Sequence, residues 1–212
     1  MKYGTALGLA SLGVILSVAA GVTGCVSPLF EKASIEPGLK FDAGVSATSY
    51  AQQLADYGFY AVGLRGDVIA RYAWNHKIEL SAQFGFGAGC FSDIYDGQPL
   101  LVDGGLGLKF AFPCKTITPA LKIEIEPYGP EVAVAPAFLL GIPGRKQSEA
   151  VTLGLRTDLL RGFIPYGLDV FGIIHGKKGF SIFAGLDMLP LIFYEQIQYP
   201  PVATIGIGYT IK

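Results

Sequence analysis

Between Lys77 and Gly89 apolar and polar positions alternate strictly. Ile78, Leu80, Ala82, Phe84, Phe86 and Ala88 hold the even positions, and Lys77, Glu79, Ser81, Gln83, Gly85, Gly87 and Gly89 the odd ones. Period-two alternation separates into two faces only on a strand. The same pattern returns along most of the chain. It predicts strands at about 38–47, 58–74, 77–89, 100–112, 119–126, 131–140, 149–158, 165–175, 179–188 and 202–211. The first sets Leu39, Phe41, Ala43 and Val45 against Lys40, Asp42 and Ser46. The last sets Ala203, Ile205, Ile207, Tyr209 and Ile211 against Thr204, Gly206, Gly208 and Thr210. The sixth contains Pro136 and alternates poorly, and Pro127–Pro130 reads as a turn. The count is ten strands, or eight if the fifth and sixth stand outside the sheet. Both numbers are even.

The first residues follow another pattern. A basic start at Lys2 precedes an apolar run from Ala6 to Ala20, which reads as a secretory signal peptide. Val22-Thr-Gly-Cys25 then resembles the lipobox of bacterial lipoproteins. The resemblance implies cleavage after residue 24 and lipidation of Cys25. Val26, where the family's inner-membrane members tend to carry Asp, resembles the outer-membrane-directed kind. Residues 25–37, with Pro28 and Pro37, are then expected to be a lipidated tether, and 38–212 a single β domain.

Composition narrows the class of that domain. The chain carries 16 Lys and Arg against 17 Asp and Glu, so it offers no basic surface for nucleic acid. Glycine is abundant (29 residues) and hydrophobic residues make up 51% of the sequence. No stretch after Cys25 is apolar for long enough to be a spanning helix. A hydrophobic chain of alternating strands is either a soluble sandwich or barrel, or a transmembrane barrel. The longest predicted connections, 48–57, 91–98 and 189–201, all leave from one side. Short ones, Asn75-His76 and Gly176–Lys178, lie on the other, with 141–148 as an exception. Aromatics gather at strand ends: Phe59 and Tyr60 at one end of the second strand, Tyr72 and Trp74 at the other, with Phe84, Phe86, Phe110, Phe112 and Tyr209 following suit. Short turns, long outer loops and two aromatic girdles are what an outer-membrane barrel needs. From residue 38 onward the chain resembles small bacterial outer-membrane β-barrel proteins. The fold expected is all-β: a closed antiparallel up-and-down transmembrane barrel of 8–10 strands.

In such a barrel the polar faces point inward, because a charge facing lipid at mid-membrane costs about 2–4 kcal/mol. Lys40, Asp42, Arg65, Asp67, Arg71, Glu79, Asp103, Lys109, Lys122, Glu124, Arg156, Asp158 and Asp169 are therefore expected to form a packed lumenal charge network. Asp187 is a further candidate. The glycines at 85, 87, 89, 105, 107, 206 and 208 would leave room for the long side chains. A polar pore is the alternative use of the same face.

Catalytic signals are weak. Phe84–Gly89 and Gly104–Gly107 lie within strands and lack the strand-to-helix setting of nucleotide-binding loops. Two histidines do not make a metal cluster. His76 reads as a solvated turn residue. His175 lacks the His-x-Ser signature of outer-membrane lipid A deacylases, since position 177 is Lys. Asp93 and Asp96 could hold a cation, although an Asp-Gly turn explains them as well. Cys90 and Cys114 fall at opposite ends of one predicted hairpin, beyond disulfide reach, and are expected to be free thiols. No cofactor, metal or catalytic residue is expected. Expected partners are membrane lipid and, at the outer loops, small solutes or extracellular ligands. The leading expectation is a barrel in the bacterial outer membrane, anchored at Cys25 on the periplasmic side, with a structural, adhesive or narrow-pore role. A lipid-anchored lipocalin-like barrel binding an apolar ligand is the alternative, although the family's Gly-x-Trp is missing and Trp74 stands in Ala-Trp-Asn. An outer-membrane lipid-modifying enzyme is a third reading.

Overall fold

A computed structural model describes residues 30–212 except 55–56, 91–99, 115, 129–130, 145–147, 161–163 and 189–202. The signal peptide, Cys25, Asp93 and Asp96 therefore lie outside the described residues. Ten strands form one closed antiparallel barrel: β1 (Gly38–Leu54), β2 (Tyr57–Ala73), β3 (Ile78–Cys90), β4 (Leu100–Ala111), β5 (Thr118–Tyr128), β6 (Glu131–Pro143), β7 (Glu149–Leu160), β8 (Ile164–His175), β9 (Phe180–Asp187) and β10 (Ala203–Ile211). Each strand pairs with its sequence neighbours, and β1 pairs with β10 to close the wall. Closure satisfies every edge, so no strand is left as a template for aggregation.

One open expectation about the strands is decided and two change. The fifth and sixth strands are full wall members, which settles the count at ten. Alternation along β6 looked poor because both of its faces are apolar: Val132, Val134, Phe138 and Ile142 point out, while Ala133, Ala135, Ala137 and Leu139 point in. Pro136 has no N–H to give, and the β6–β7 ladder lapses there, between Val134↔Leu159 and Ala137↔Arg156. Second, 48–57 is not a loop. β1 and β2 pair along their whole length down to Leu54↔Tyr57. Third, strand β5 continues through Pro127 to Tyr128, which shortens the turn expected there. The long-connection asymmetry now rests on 91–99 and 189–202.

The rim carrying Gly38 also carries the turns at 74–77, 112–117, 144–148 and 176–179 and ends at Lys212. It is called the near rim below. The Asn75 side chain accepts hydrogen bonds from the Lys77 and Ile78 N–H groups at 2.7 and 3.0 Å, which closes its turn.

The two faces of the wall are sorted by polarity. Leu64 (66% exposed), Leu106 (62%) and Ile205 (62%) stand among many large apolar side chains on the outer surface. Charged residues fill the inside. The apolar part of the interior is small and gathers Phe171 on β8 and Phe183 on β9 (ring centroids 5.6 Å apart) with Ile173 and Leu139.

The segment expected to be a free tether takes a different place. Phe30, Glu31, Ala33 and Ile35 are all buried inside the barrel. The chain runs from Phe30, level with Gly44 and Gly208, toward Glu36 at the near rim. It then turns at Pro37 and enters the wall through Gly38, whose φ of 109° an L side chain rarely adopts.

Candidate functional site

The charged interior is built by the inward positions of β1–β5, β7 and β8. Lys40, Asp42, Arg65, Asp67, Arg71, Glu79, Lys109, Lys122, Glu124, Arg156 and Asp169 are buried there, and Asp158 is half-buried. Asp103 stands in β4 opposite Gly85, and its side chain, like that of Asp187, lies outside the described ones.

One chain of ion pairs runs around the wall. Asp42 on β1 takes two hydrogen bonds from Arg71 on β2, from Nε at 2.5 Å and Nη2 at 2.7 Å, and one from Thr210 Oγ1 at 2.5 Å. Arg71 lies 3.5 Å from Glu79 on β3, and Glu79 lies 2.6 Å from Lys109 on β4. On β5, Lys122 contacts Glu124 at 2.7 Å. Arg156 on β7 then reaches Glu126 at 2.5 Å, Asp158 at 3.4 Å and Glu124 at 3.9 Å. Asp169 faces Arg156 directly across the β7–β8 ladder. A separate pair, Arg65 and Asp67, sits two residues apart on one face of β2 at 2.5 Å. The bidentate geometry of Arg71 on the two oxygens of Asp42 suits buried charge.

Glu31 completes that chain from inside. Lys109 donates to its Oε2 at 2.6 Å and to the Lys32 carbonyl at 3.0 Å. Lys122 donates to its Oε1. Phe30 packs edge-on against Phe183, with ring centroids 6.2 Å apart. Near the rim, Glu149 accepts the N–H groups of Ala33 and Ser34 at 2.8 and 2.7 Å. His76 Nδ1 lies 3.0 Å from the Ile35 carbonyl. His76 is exposed as expected, but it also ties its turn to the inner segment.

Glu149, Thr152 and His175 come together, although reading the strands had not grouped them. The Thr152 hydroxyl donates to Glu149 and lies 2.7 Å from His175 Nε2. A nucleophilic hydroxyl must donate to its histidine base. Here the hydroxyl also bonds the Glu149 carboxylate, so the imidazole is not its sole partner. The trio holds Glu149 in position for the two backbone N–H groups. Among the described residues no group of three or more His, Cys, Asp or Glu could hold a metal ion. Cys114 is a free, exposed thiol. Cys90 pairs with Val62 near the far end of β3, whereas Cys114 lies in the near-rim turn.

At the near rim Lys212 donates to Glu36 at 2.5 Å, and Lys40 lies 3.4 Å away. The hydrogen bond from Lys212, aided by the charge of Lys40, outweighs partial burial and lowers the Glu36 carboxyl to about 2. A carboxyl held below its ordinary value stabilises the fold above that value. The stabilisation is lost as pH falls from about 4.5 toward 2. An NMR titration of Glu36 should show this low midpoint, and Lys212→Met should return it toward the ordinary carboxylate range.

No protein-family model matches this chain, and no curated protein sequence matches it.

Sequence reasoning missed Phe30, Glu31, Glu149 and Thr152. Residues 30–36 alternate only over Ala33–Glu36, too short a run to read as a strand, and Glu149 stands at the first position of its strand. One signal was present. Folding the fourth and fifth predicted strands about 113–118 sets Lys109 opposite Lys122, a like-charge pair that asks for an anion.

Proposed function

We propose that this chain is a bacterial outer-membrane β-barrel whose interior is filled by its own side chains and N-terminal segment. Its role is structural or adhesive rather than conducting or catalytic. The observation that carries this reading is the sorting of the faces: large apolar residues cover the outside and ion pairs the inside. A soluble barrel that binds an apolar ligand has the reverse demand. Water would meet far more contiguous apolar surface than the few hundred Å² that a soluble monomer tolerates. Lipid tolerates that surface and penalises exposed charge. Tyr72 and Trp74, in edge contact at 5.3 Å, stand outward toward the near rim with Phe112, Phe180 and Tyr209, as a belt at a headgroup interface would.

The near rim, with its turns, would face the periplasm. The far-rim connections 91–99 and 189–202 would face outward and offer the surface for extracellular ligands. Lipidation at Cys25 belongs to the same proposal. Four residues separate Cys25 from Phe30, a reach of about 17 Å. The acylated cysteine would thus be held near the barrel and not at the end of a free tether.

The test is fractionation of the full precursor expressed in a Gram-negative host. The expected result is a protein that resists carbonate extraction and migrates faster on SDS gels before heating than after. Release into the soluble fraction as a monomer would defeat the proposal. In planar bilayers the wild-type protein is expected to pass no steady current.

A further inference from the structure

Like charges are direct ladder partners at Lys40↔Arg71, Asp169↔Asp187 and Lys109↔Lys122, and the last of these interrupts the alternating chain of ion pairs. Asp42, Arg71, Glu79 and Lys109 alternate in sign from β1 to β4, and Lys122, Glu124 and Arg156 alternate from β5 to β7. Where the two runs meet, Lys109 and Lys122 are direct partners in the β4–β5 ladder. Both point inward, and both are essentially sealed from solvent. Like charges directly opposite on neighbouring strands repel, and burial removes the water that would screen them. Glu31 enters at this junction and gives one carboxylate oxygen to each lysine.

We propose that Lys109 and Lys122 form a carboxylate-binding site in the barrel wall, and that Phe30–Glu31 is its built-in ligand. The wall also shapes the ligand's neighbour. A Cβ added at Gly44 or Gly208 would stand 2.1 or 2.5 Å from the Phe30 ring. The bare backbone of β1 and β10 is therefore a socket for an aromatic ring beside the carboxylate site. Residues 30–36 belong to no strand. Side chains of the barrel hold them, through Lys109, Lys122, Glu149 and His76. The site is thus specific for what the segment presents: a carboxylate next to an apolar ring. A small carboxylate or an acidic-aromatic peptide is the class of ligand that fits once the segment is altered. The inference rests on interior geometry alone, and it stands or falls separately from the membrane reading.

The experiment is chemical rescue in the full-length protein. Glu31→Ala removes the carboxylate and leaves space beside the lysines. It is expected to lower the melting temperature. Sodium formate at concentration c should then raise that temperature in proportion to ln(1 + c/Kd), while sodium chloride at matched ionic strength should not. Formate at ten times its Kd multiplies the folding equilibrium constant about elevenfold. The wild type, with its site filled, should respond equally to both salts. Adding Lys122→Met to Glu31→Ala should abolish the formate effect. If Glu31→Ala does not accumulate folded, folding yield in formate against chloride reads the same property. The proposal is overturned if Glu31→Ala melts like wild type. Superimposed formate and chloride curves, equal folding yields in the two salts, or rescue that survives Lys122→Met would overturn it as well.

Discussion

Leu106→Arg and Ile207→Arg are each expected to destabilise the protein by about 2–4 kcal/mol in lipid, the cost of a charge facing the bilayer midplane. Both positions lie on the outer surface, in the middle of β4 and of β10. Neither side chain contributes to the interior, so its loss creates no cavity there. On a protein surrounded by water the same changes replace an exposed apolar group by a charge and fall within about 0.5 kcal/mol of neutral. Urea unfolding in phospholipid vesicles measures the difference. A depth series sharpens it. Arginine at Trp74, beside the near-rim turn, should cost about 0–1 kcal/mol because it can reach the headgroups. Equal costs at Ile207 and Trp74 would contradict a membrane around this barrel.

What the sequence made legible follows from the physics of each feature. Strands β1 to β5 and β7 could be read because one face is charged and the other apolar, so period two shows directly. On β6 the inward Ala133, Ala135 and Ala137 face the interior without charge, and the period vanishes even though the geometry does not. The inward direction of Asp42, Arg71, Glu79 and Lys109 was equally legible, since parity alone assigns it. Their partners were harder. Arg71 pairs with Asp42 through a ladder that can be counted from the hairpin, but Lys109 and Lys122 meet through a residue from no strand at all. Burial does alternate along this segment, with Glu31, Ala33 and Ile35 buried and Lys32, Ser34 and Glu36 half-buried, but the buried face mixes a carboxylate with apolar groups, so hydropathy does not show it. Residues 30–36 therefore look like linker. Two of the glycines misled in the same way, whereas Gly107 does make room for the Lys122 side chain. Gly206 and Gly208 read as space for long cationic chains, yet Phe30 occupies that space.

Phe30→Ala tests that last point and carries the largest expected effect of all. The ring is almost wholly buried against Phe183 and the glycine backbone, and truncating a buried phenylalanine costs about 3–5 kcal/mol. Part of that cost is the void left between β1, β9 and β10, so a side chain grown from the wall should recover some of it. Gly208→Val supplies one. In the wild-type background its Cβ would stand 2.5 Å from Phe30, and forcing the ring aside should destabilise by about 1–3 kcal/mol. In the Phe30→Ala background the same valine fills vacated volume, and its effect should change sign. Urea unfolding of the two single variants and the double variant gives the coupling directly. Contacting residues that share a cavity are expected to depart from additivity by about 0.5–3 kcal/mol. Strict additivity would mean that Phe30 does not occupy the Gly208 socket, and the interior would then be open to water where Phe30 now closes it.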